Sequence, residues 1–506
     1  METSAVEIVT IIVYLVGMAV IGIILAKRIK NSDDYLAGGR KMPLWLVTAT
    51  LFATWWGGGT VLGGSGAAFY DGFHGVIYDP YGAGLTLILA GLFFMKIVHD
   101  AKVNTAAQFF SCRYGKWASR WSGLLMVPTY ILWAAVQLVA IGKIFEFVLG
   151  WDYSVTILIG TAVILLYTVL GGILAVAWTD FFQVIILLLG LVIILPLSIK
   201  LAGGWGAVTA ATPEHMFKLF PAEGSELAPP TLSGWLWWFG ALLGVGLGTL
   251  AAPDLYQRAI IAKDGKTAAR SSLISGAGYW ILGAIPVFLA FVAITLISQG
   301  VLSGDVINED SEKLILVLTR KVLPPALAGV FIASLLAAVM SSGDSALFAP
   351  AAVLANDLYK PMHERGDKTL SDKGLVTATR ISVIIVAAIA LLLGFFYANM
   401  YDLLIVAFQM LFHVLFFPLV LGVYWKRANA PGAVAGMLVG FVGSVGWMII
   451  AGSMFTEPEW LWALGPGTLG GIVMVIVSLL TAKSHPPQPL YTSDGKILKF
   501  AELAGK

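Results

Sequence analysis

Apolar residues in this chain come in long uninterrupted blocks, separated by short charged or Pro/Gly-rich stretches, with no sustained alternation. Blocks of spanning length fall near residues 5–27, 44–70, 75–98, 118–149, 154–173, 177–199, 232–252, 272–299, 323–356, 376–398, 402–424, 431–453 and 462–482. A helix rises about 1.5 Å per residue, so roughly 20 apolar residues cross a hydrocarbon layer about 30 Å thick. The pattern therefore predicts an all-α membrane protein with about 13 transmembrane helices. A transmembrane β-barrel needs short segments of alternating character, which these blocks are not. The first block, Val6 to Ala26, is too long for a signal-peptide core and has no small-residue cleavage pattern before its basic flank, so it reads as a retained span.

Composition closes off other classes. Hydrophobic residues make up 58% of the 506 and charged residues 12%, about half the share of a soluble protein, so a soluble globular chain is excluded. Lys and Arg number 31 against 29 acidic residues, with no basic block, and nucleic acid is not expected as a partner. Cys112 is the single cysteine, which rules out an internal disulfide and a Cys/His metal framework. No GxxxxGK[ST] motif occurs, so ATP-driven transport has no support.

Basic residues are retained on the cytoplasmic side of a membrane. They collect after spans 1, 3, 7, 9 and 11: Lys27, Arg28, Lys30, Arg40 and Lys41; Lys96, Lys102, Arg113, Lys116 and Arg120; Arg258, Lys263, Lys266 and Arg270; Lys360, Arg365, Lys368, Lys373 and Arg380; Lys426 and Arg427. The opposite loops are acidic or neutral, with Asp305, Glu309, Asp310 and Glu312 together. The expected topology is a multi-pass plasma (inner) membrane protein with the N-terminus outside. Its tail, with Lys483, Lys496, Lys499 and Lys506, is cytoplasmic.

Glycine alters the picture of the spans themselves. Span 2 contains Gly57, Gly58 and Gly59 in a row, then Gly63, Gly64 and Gly66, and a helix loses about 1 kcal/mol per glycine relative to alanine. Span 2 is therefore expected to be a discontinuous helix. Span 7 carries Gly240, Gly244, Gly246 and Gly248 with Pro253 at its end, and is open to either a break or close packing of its neighbours through small residues. The two spans lie five helices apart and enter from opposite sides, the layout of inverted repeats around a midplane site in a secondary transporter.

Span 9 holds the polar cluster Ser341, Ser342, Gly343, Asp344 and Ser345, with Ala338, Ser341, Ser342 and Ser345 three or four residues apart on one face. A hard monovalent cation such as Na⁺ takes several oxygen ligands, which two hydroxyls and the freed carbonyls of a broken helix provide. Serines alone often bond back to their own helix. Asp344 tips the balance, because a carboxylate within a span is a functional-site hypothesis by default. Of the other acids, Asp180 falls near the cytoplasmic interface and is open to a hydrated functional carboxylate or a helix cap, and Asp254 is open to pairing with Arg258 one turn on. Asp79, beside Tyr78 and Tyr81, is open to vestibule or substrate contact. Trp55 and Trp56 precede the glycine break and Trp133 lies mid-span, placing indole faces where a cation could be held. His413, alone in span 11, is expected to be a hydrogen-bonded helix contact rather than a proton relay.

These residues resemble the sodium:solute symporter family over essentially the whole chain. The run Asp34-Tyr35-Leu36-Ala37-Gly38-Gly39-Arg40 looks like its first cytoplasmic loop, Tyr167 to Asp180 like the connection between its fourth and fifth core helices, and AAVMSS at 337–342 like its sodium-site helix. ATWWGGG at 53–59, LWAA at 132–135, YQR at 256–258 and SSGDS at 341–345 look closest to the choline-transporter branch. The resemblance implies the leucine-transporter fold, with 5+5 inverted repeats plus one N-terminal and two C-terminal extra helices. It divides the chain into 1–43, the extra helix and first loop; 44–230, the first repeat; 231–425, the second repeat; and 426–506, the extra helices and tail.

It further implies a main Na⁺ site on the carbonyls of Ala53, Trp56 and Ala338 and the hydroxyls of Ser341 and Ser342, and a second on Asp180, Ser341, Asp344 and Ser345. Trp55 and Trp133 match two walls of an aromatic cage for a quaternary ammonium. Two further walls appear here as Ala252 and Ala83. Asp79 and Tyr78 join the substrate residues, and the expected solute is an organic cation or amine of the choline type. Neutral or anionic metabolites are the alternative. Expected partners are a small-molecule solute and the lipid bilayer, with Na⁺ as coupling ion and the chain acting as a monomer. A membrane sensor or membrane-embedded hydrolase finds little support, since only about 24 residues follow span 13 and no nucleophile set converges.

Overall fold

In the computed structural model the described residues are 3–26, 40–364, 369–453 and 458–498. The loop motif Asp34–Gly39 and the basic residues Lys27, Arg28, Lys30, Arg365, Lys368, Lys499 and Lys506 lie outside them, as do the side chains of Tyr167, Gly171, Gly172 and Thr179. Among the described residues nine helices are long and apolar enough to cross a membrane, or ten if the bent pair Gly59–Gly75 and Ile77–Phe93 counts as one span. Ala5–Gly17, Leu44–Trp55 and Tyr153–Leu166 are shorter apolar helices.

The principal helices, in chain order, are α1 (Ala5–Ala26), α2 (Leu44–Trp55), α3 (Gly64–Gly75), α4 (Ala83–Phe93), α5 (Lys116–Leu149), α6 (Tyr153–Leu201), α7 (Leu232–Gly248), α8 (Pro253–Ile261), α9 (Gly265–Leu282), α10 (Pro325–Val353), α11 (Asp372–Phe396), α12 (Met400–Leu411), α13 (Ala430–Ala451) and α14 (Glu459–Leu480). Their ends follow local chemistry. Asp152, Asn399 and Asn429 cap α6, α12 and α13 by accepting the amides of Ser154, Asp402 and Gly432. Gly150 and Gly452 close α5 and α13 in the left-handed conformation that glycine adopts without strain.

α5 and α10 form the centre, with 83% of each apolar window buried. The α13 window is 33% buried and the second half of α6 28%, so these lie at the periphery. Peripheral helices turn Leu189, Val192, Ile193, Ile384, Leu392, Ile449 and Ile450 outward, a lipid-facing surface that would be unfavourable in water.

Span 2 is broken as expected. Helix α2 stops at Trp55, residues Trp56 and Gly57 are irregular, and helical backbone resumes at Gly58 with a π-helical turn, Gly59–Gly63, that leads into α3. Span 7 behaves differently from a glycine-induced break. Its glycines lie within α7 at close helix contacts: a Cβ on Gly240 would lie 2.9 Å from the Trp460 Cα, and one on Gly248 2.4 Å from the Phe408 carbonyl oxygen. The interruption comes later, at Ala252 with φ −64° and ψ 125°, where Pro253 starts α8 without needing an amide partner. The expected spans 154–173 and 177–199 are not separated by a loop, since α6 covers both. Both halves face α10: Ile164 lies over Gly343, Thr168 bonds Asp344, Asp180 bonds Ser341 and Phe331 lies over Gly190.

His413 is a helix contact as expected, pairing with the Ser444 hydroxyl at 2.9 Å and the Ala463 carbonyl at 3.1 Å.

Candidate functional site

The break after α2 faces the polar turn of α10. Ser342 Oγ donates to the Ala53 carbonyl at 3.2 Å. A Cβ on Gly57 would lie 2.7 Å from Ser342 Oγ and 3.0 Å from Gln137 Oε1, so only glycine lets the unwound chain come this close. Gln137, on α5, is buried and its Oε1 has no hydrogen-bond partner. Its oxygen therefore adds to the carbonyl and hydroxyl set. No periodicity pointed to it, because a glutamine in a span carries no charge signal.

Of the five groups read as the main ion site, the structure thus brings Ala53 and Ser342 into contact, with Ser341 the adjacent residue on α10, donating to Asp180, and Ala338 one turn earlier. The Trp56 side chain turns away: it stacks on Phe52 at 4.9 Å and meets Tyr279 edge-on at 5.2 Å. Only its backbone is available to the break.

The second set is denser. Asp180, fully buried, accepts from Ser341 and from Thr50 on α2. Asp344 accepts from Thr168, leaving its other carboxylate oxygen without a partner. Ser345 accepts from Arg258 Nη2 at 2.7 Å, and the same nitrogen lies 3.7 Å from Asp180. Asp254 is therefore not the ion-pair partner of Arg258 that the four-residue spacing suggested. Its carboxylate instead accepts from the Trp55 indole and the Tyr130 hydroxyl. The reason is tertiary: the break at Ala252 turns the first residues of α8 toward α2 and α5, while Arg258, one turn on, reaches α10.

Trp55 and Trp133 do converge, but through a ring not anticipated. Phe408 on α12 lies 6.2 Å from each, stacked on Trp55 and tilted to Trp133, and Tyr130 abuts Trp133 edge-on at 5.3 Å. The residues that match the missing cage walls, Ala83 and Ala252, are buried.

Asp79 sits on the other side of the break. It accepts from Thr60, whose hydroxyl also lies 3.1 Å from the Trp55 carbonyl and 2.6 Å from the Tyr279 hydroxyl. Its second oxygen has no partner. Tyr78 is separated from this group. Its hydroxyl donates to Glu459 at 3.2 Å, and it lines a cavity of about 370 Å³ with Asp71, Trp237, Glu312, Asp402 and Glu459.

Buried oxygens from a broken helix and its partner, unpaired carboxylate oxygens and an aromatic cluster beside them describe a cation-coupled secondary transporter. A sequence profile of the Sodium:solute symporter family matches residues 35–440, and the chain belongs to that family. It is 27% identical over 499 residues to the sodium/proline symporter of Escherichia coli K12, covering 96% of this chain and 95% of the relative. It is 28% identical to the human high affinity choline transporter 1 over 86% of this chain and 75% of the relative. A solved Na⁺-coupled sialic acid symporter superposes with a TM-score of 0.77 at 21% identity, over 96% of this chain and 99% of that one.

The fold is therefore the leucine-transporter fold, and the protein is a multi-pass plasma membrane symporter, not an enzyme, with Na⁺ as coupling ion.

Proposed function

We propose that this symporter takes up a small organic cation or amine of the choline type by alternating access, coupled to Na⁺ held by the carbonyls of Ala53, Trp56 and Ala338 and the hydroxyls of Ser341 and Ser342. A second Na⁺ is assigned to Asp180, Ser341, Asp344 and Ser345. The observation that carries the substrate class is the Trp55, Phe408 and Trp133 cluster with the Asp254 carboxylate at its edge. Aromatic faces attract a desolvated cation by about 2 kcal/mol or more, and a buried carboxylate beside them adds a counter-charge. The acidic cavity lined by Asp71, Tyr78, Asp402 and Glu459 suits the approach of a cation.

In this reading residues 44–230 and 231–425 are the two inverted repeats, flanked by 1–43 and 426–506. The N-terminus is outside and the tail cytoplasmic, and the chain works as a monomer in the bilayer.

A second reading is a proline-like amino acid, favoured by the E. coli relative's name. Uptake of radiolabelled choline and proline into proteoliposomes under an inward Na⁺ gradient separates the two. Choline-type uptake is expected. Transport of proline alone, or of a carboxylate or sugar, overturns the cation reading and leaves the symporter intact.

The aromatic cluster gives a graded test. Trp55→Phe should weaken the solute less than Trp55→Leu, because phenylalanine retains a smaller quadrupole and leucine has none. Asp254→Asn, which removes the carboxylate held by the Trp55 indole, should weaken a cationic solute more than it weakens Na⁺. Equal solute KM values for the Phe and Leu variants would remove the cation argument.

Stoichiometry follows from the second set. Transport should rise more steeply than first order in Na⁺, and Asp344→Asn should bring the order toward one. A wild-type order of one in Na⁺, with no more charge moved per solute than the solute's own charge plus one, would count against a second ion.

A further inference from the structure

Arg258 has no place in either ion set as read above, yet it is wholly buried and its guanidinium touches one of them. Its Nη2 donates to Ser345 at 2.7 Å and lies 3.7 Å from Asp180, and its Nη1 donates to Gln257 at 3.0 Å. The acidic groups that act on it are Asp180, Asp254 and Asp344, which come from α6, α8 and α10. A guanidinium is held most firmly by a paired, two-pronged contact with a carboxylate. Here the bond goes to a hydroxyl, the nearest carboxylate stands off, Nε has no partner and neither has Asp344 Oδ2. The cation is compensated in charge but not locked in geometry.

Two of the four groups assigned to the second Na⁺, Asp180 and Ser345, are the two that Arg258 approaches. An ion in contact with both would have to sit where the guanidinium lies, and two like charges at that separation repel strongly in a dry interior. Arg258 is carried by α8, a nine-residue helix that begins beyond the interruption at Ala252, whereas Asp180 and Ser345 belong to long continuous helices. A swing of the long Arg258 side chain would separate the guanidinium from both oxygens while Asp254, on the same helix, keeps its bonds to Trp55 and Tyr130.

We propose that Arg258 is a tethered counter-cation of the second sodium site, occupying it when Na⁺ is absent and leaving it when Na⁺ binds, so that the two are mutually exclusive. This rests on the second-site reading above. The guanidinium offsets one negative charge of the buried carboxylate group in an ion-free carrier, where uncompensated buried charge is costly. It also lets the empty carrier reorient with less bare negative charge than the site would carry without Arg258.

The test uses purified full-length protein and measures the rise in Tm when K⁺ is replaced by Na⁺, together with the Na⁺ concentration that gives half the rise. Arg258→Gln should melt lower than wild type in K⁺ and gain more from Na⁺, because an ion that binds only the folded state stabilises it by mass action. Its half-saturating Na⁺ should fall about tenfold, the effect of removing a competing charge. Arg258→Lys, which keeps a tethered cation, should stay near wild type.

Arg258→His provides an independent sign check and serves if the glutamine variant does not fold. Imidazolium at low pH should compete and neutral imidazole should not, so Na⁺ affinity should rise from about pH 5.5 to 8 by more than in wild type. If Arg258→Gln binds Na⁺ no better than wild type, or Arg258→His adds no pH dependence, Arg258 is a fixed scaffold and the proposal is overturned. Asp344→Asn in each background tells this failure from that of the underlying reading. If it leaves the Na⁺ response unchanged while Ser342→Ala alters it, there is no second ion and the proposal falls with it.

Discussion

Ser342→Ala is expected to raise the Na⁺ concentration for half-maximal transport by about ten- to a hundredfold, the range for losing one hydrogen-bonding or ligating oxygen at a charged centre. Ser342 Oγ lies 3.2 Å from the Ala53 carbonyl, at the point where α2 gives up its helical bonding, and next to the unpartnered oxygen of Gln137. Removing it deletes a proposed ligand and leaves the facing Ala53 carbonyl without its donor. Ser341→Ala should act in the same direction, since Ser341 is in the proposed main set and donates to Asp180. Gly57→Ala should mimic the serine variants without removing an oxygen, because the new methyl would press on Ser342 Oγ at 2.7 Å and displace it. The measurement is Na⁺-dependent solute uptake at saturating solute, with surface expression checked in parallel. Unchanged Na⁺ activation in both serine variants would falsify the site.

Gly248→Ala is expected to lower stability and solute affinity together. Its Cβ would lie 2.4 Å from the Phe408 backbone oxygen and 2.9 Å from the Phe412 amide nitrogen. Backbone atoms cannot rotate away, so α12 must move, and overpacking of this kind costs about 1–3 kcal/mol. Phe408 is the ring shared by Trp55 and Trp133, so moving α12 should open the aromatic cluster. The expected signature is a lower Tm with a raised solute KM and a nearly unchanged Na⁺ requirement. By contrast Gly446→Ala, at a position with nothing within 4 Å, should leave all three as in wild type. If Gly248→Ala leaves solute KM unchanged, α12 does not form a wall of the solute site.

Much of this molecule was legible in the chain itself, because the bilayer is a severe solvent. It demands apolar blocks of a set length and satisfied backbone, and both are local properties of sequence. Three consecutive glycines made the break of span 2 visible for the same reason: they carry their cost wherever they occur. The Ser341, Ser342, Asp344 and Ser345 cluster was legible because polar groups stand out against an apolar helix.

What only the tertiary structure decided is which polar group meets which. The glycines of α7 proved to be contact points rather than a break, because small residues serve both purposes and only the neighbouring helix distinguishes them. Asp254 and Arg258 have the spacing of a helical ion pair, yet each is claimed by another helix. Trp55 and Tyr130 take the carboxylate, while Ser345 and Asp180 face the guanidinium. Gln137 and Phe408 carried no signal in the chain, since a neutral amide and one more phenylalanine are unremarked in an apolar span. Sequence fixes period and polarity along one helix. A site assembled from five or more helices depends on their relative rotation and depth, which are set by packing between residues far apart in the chain.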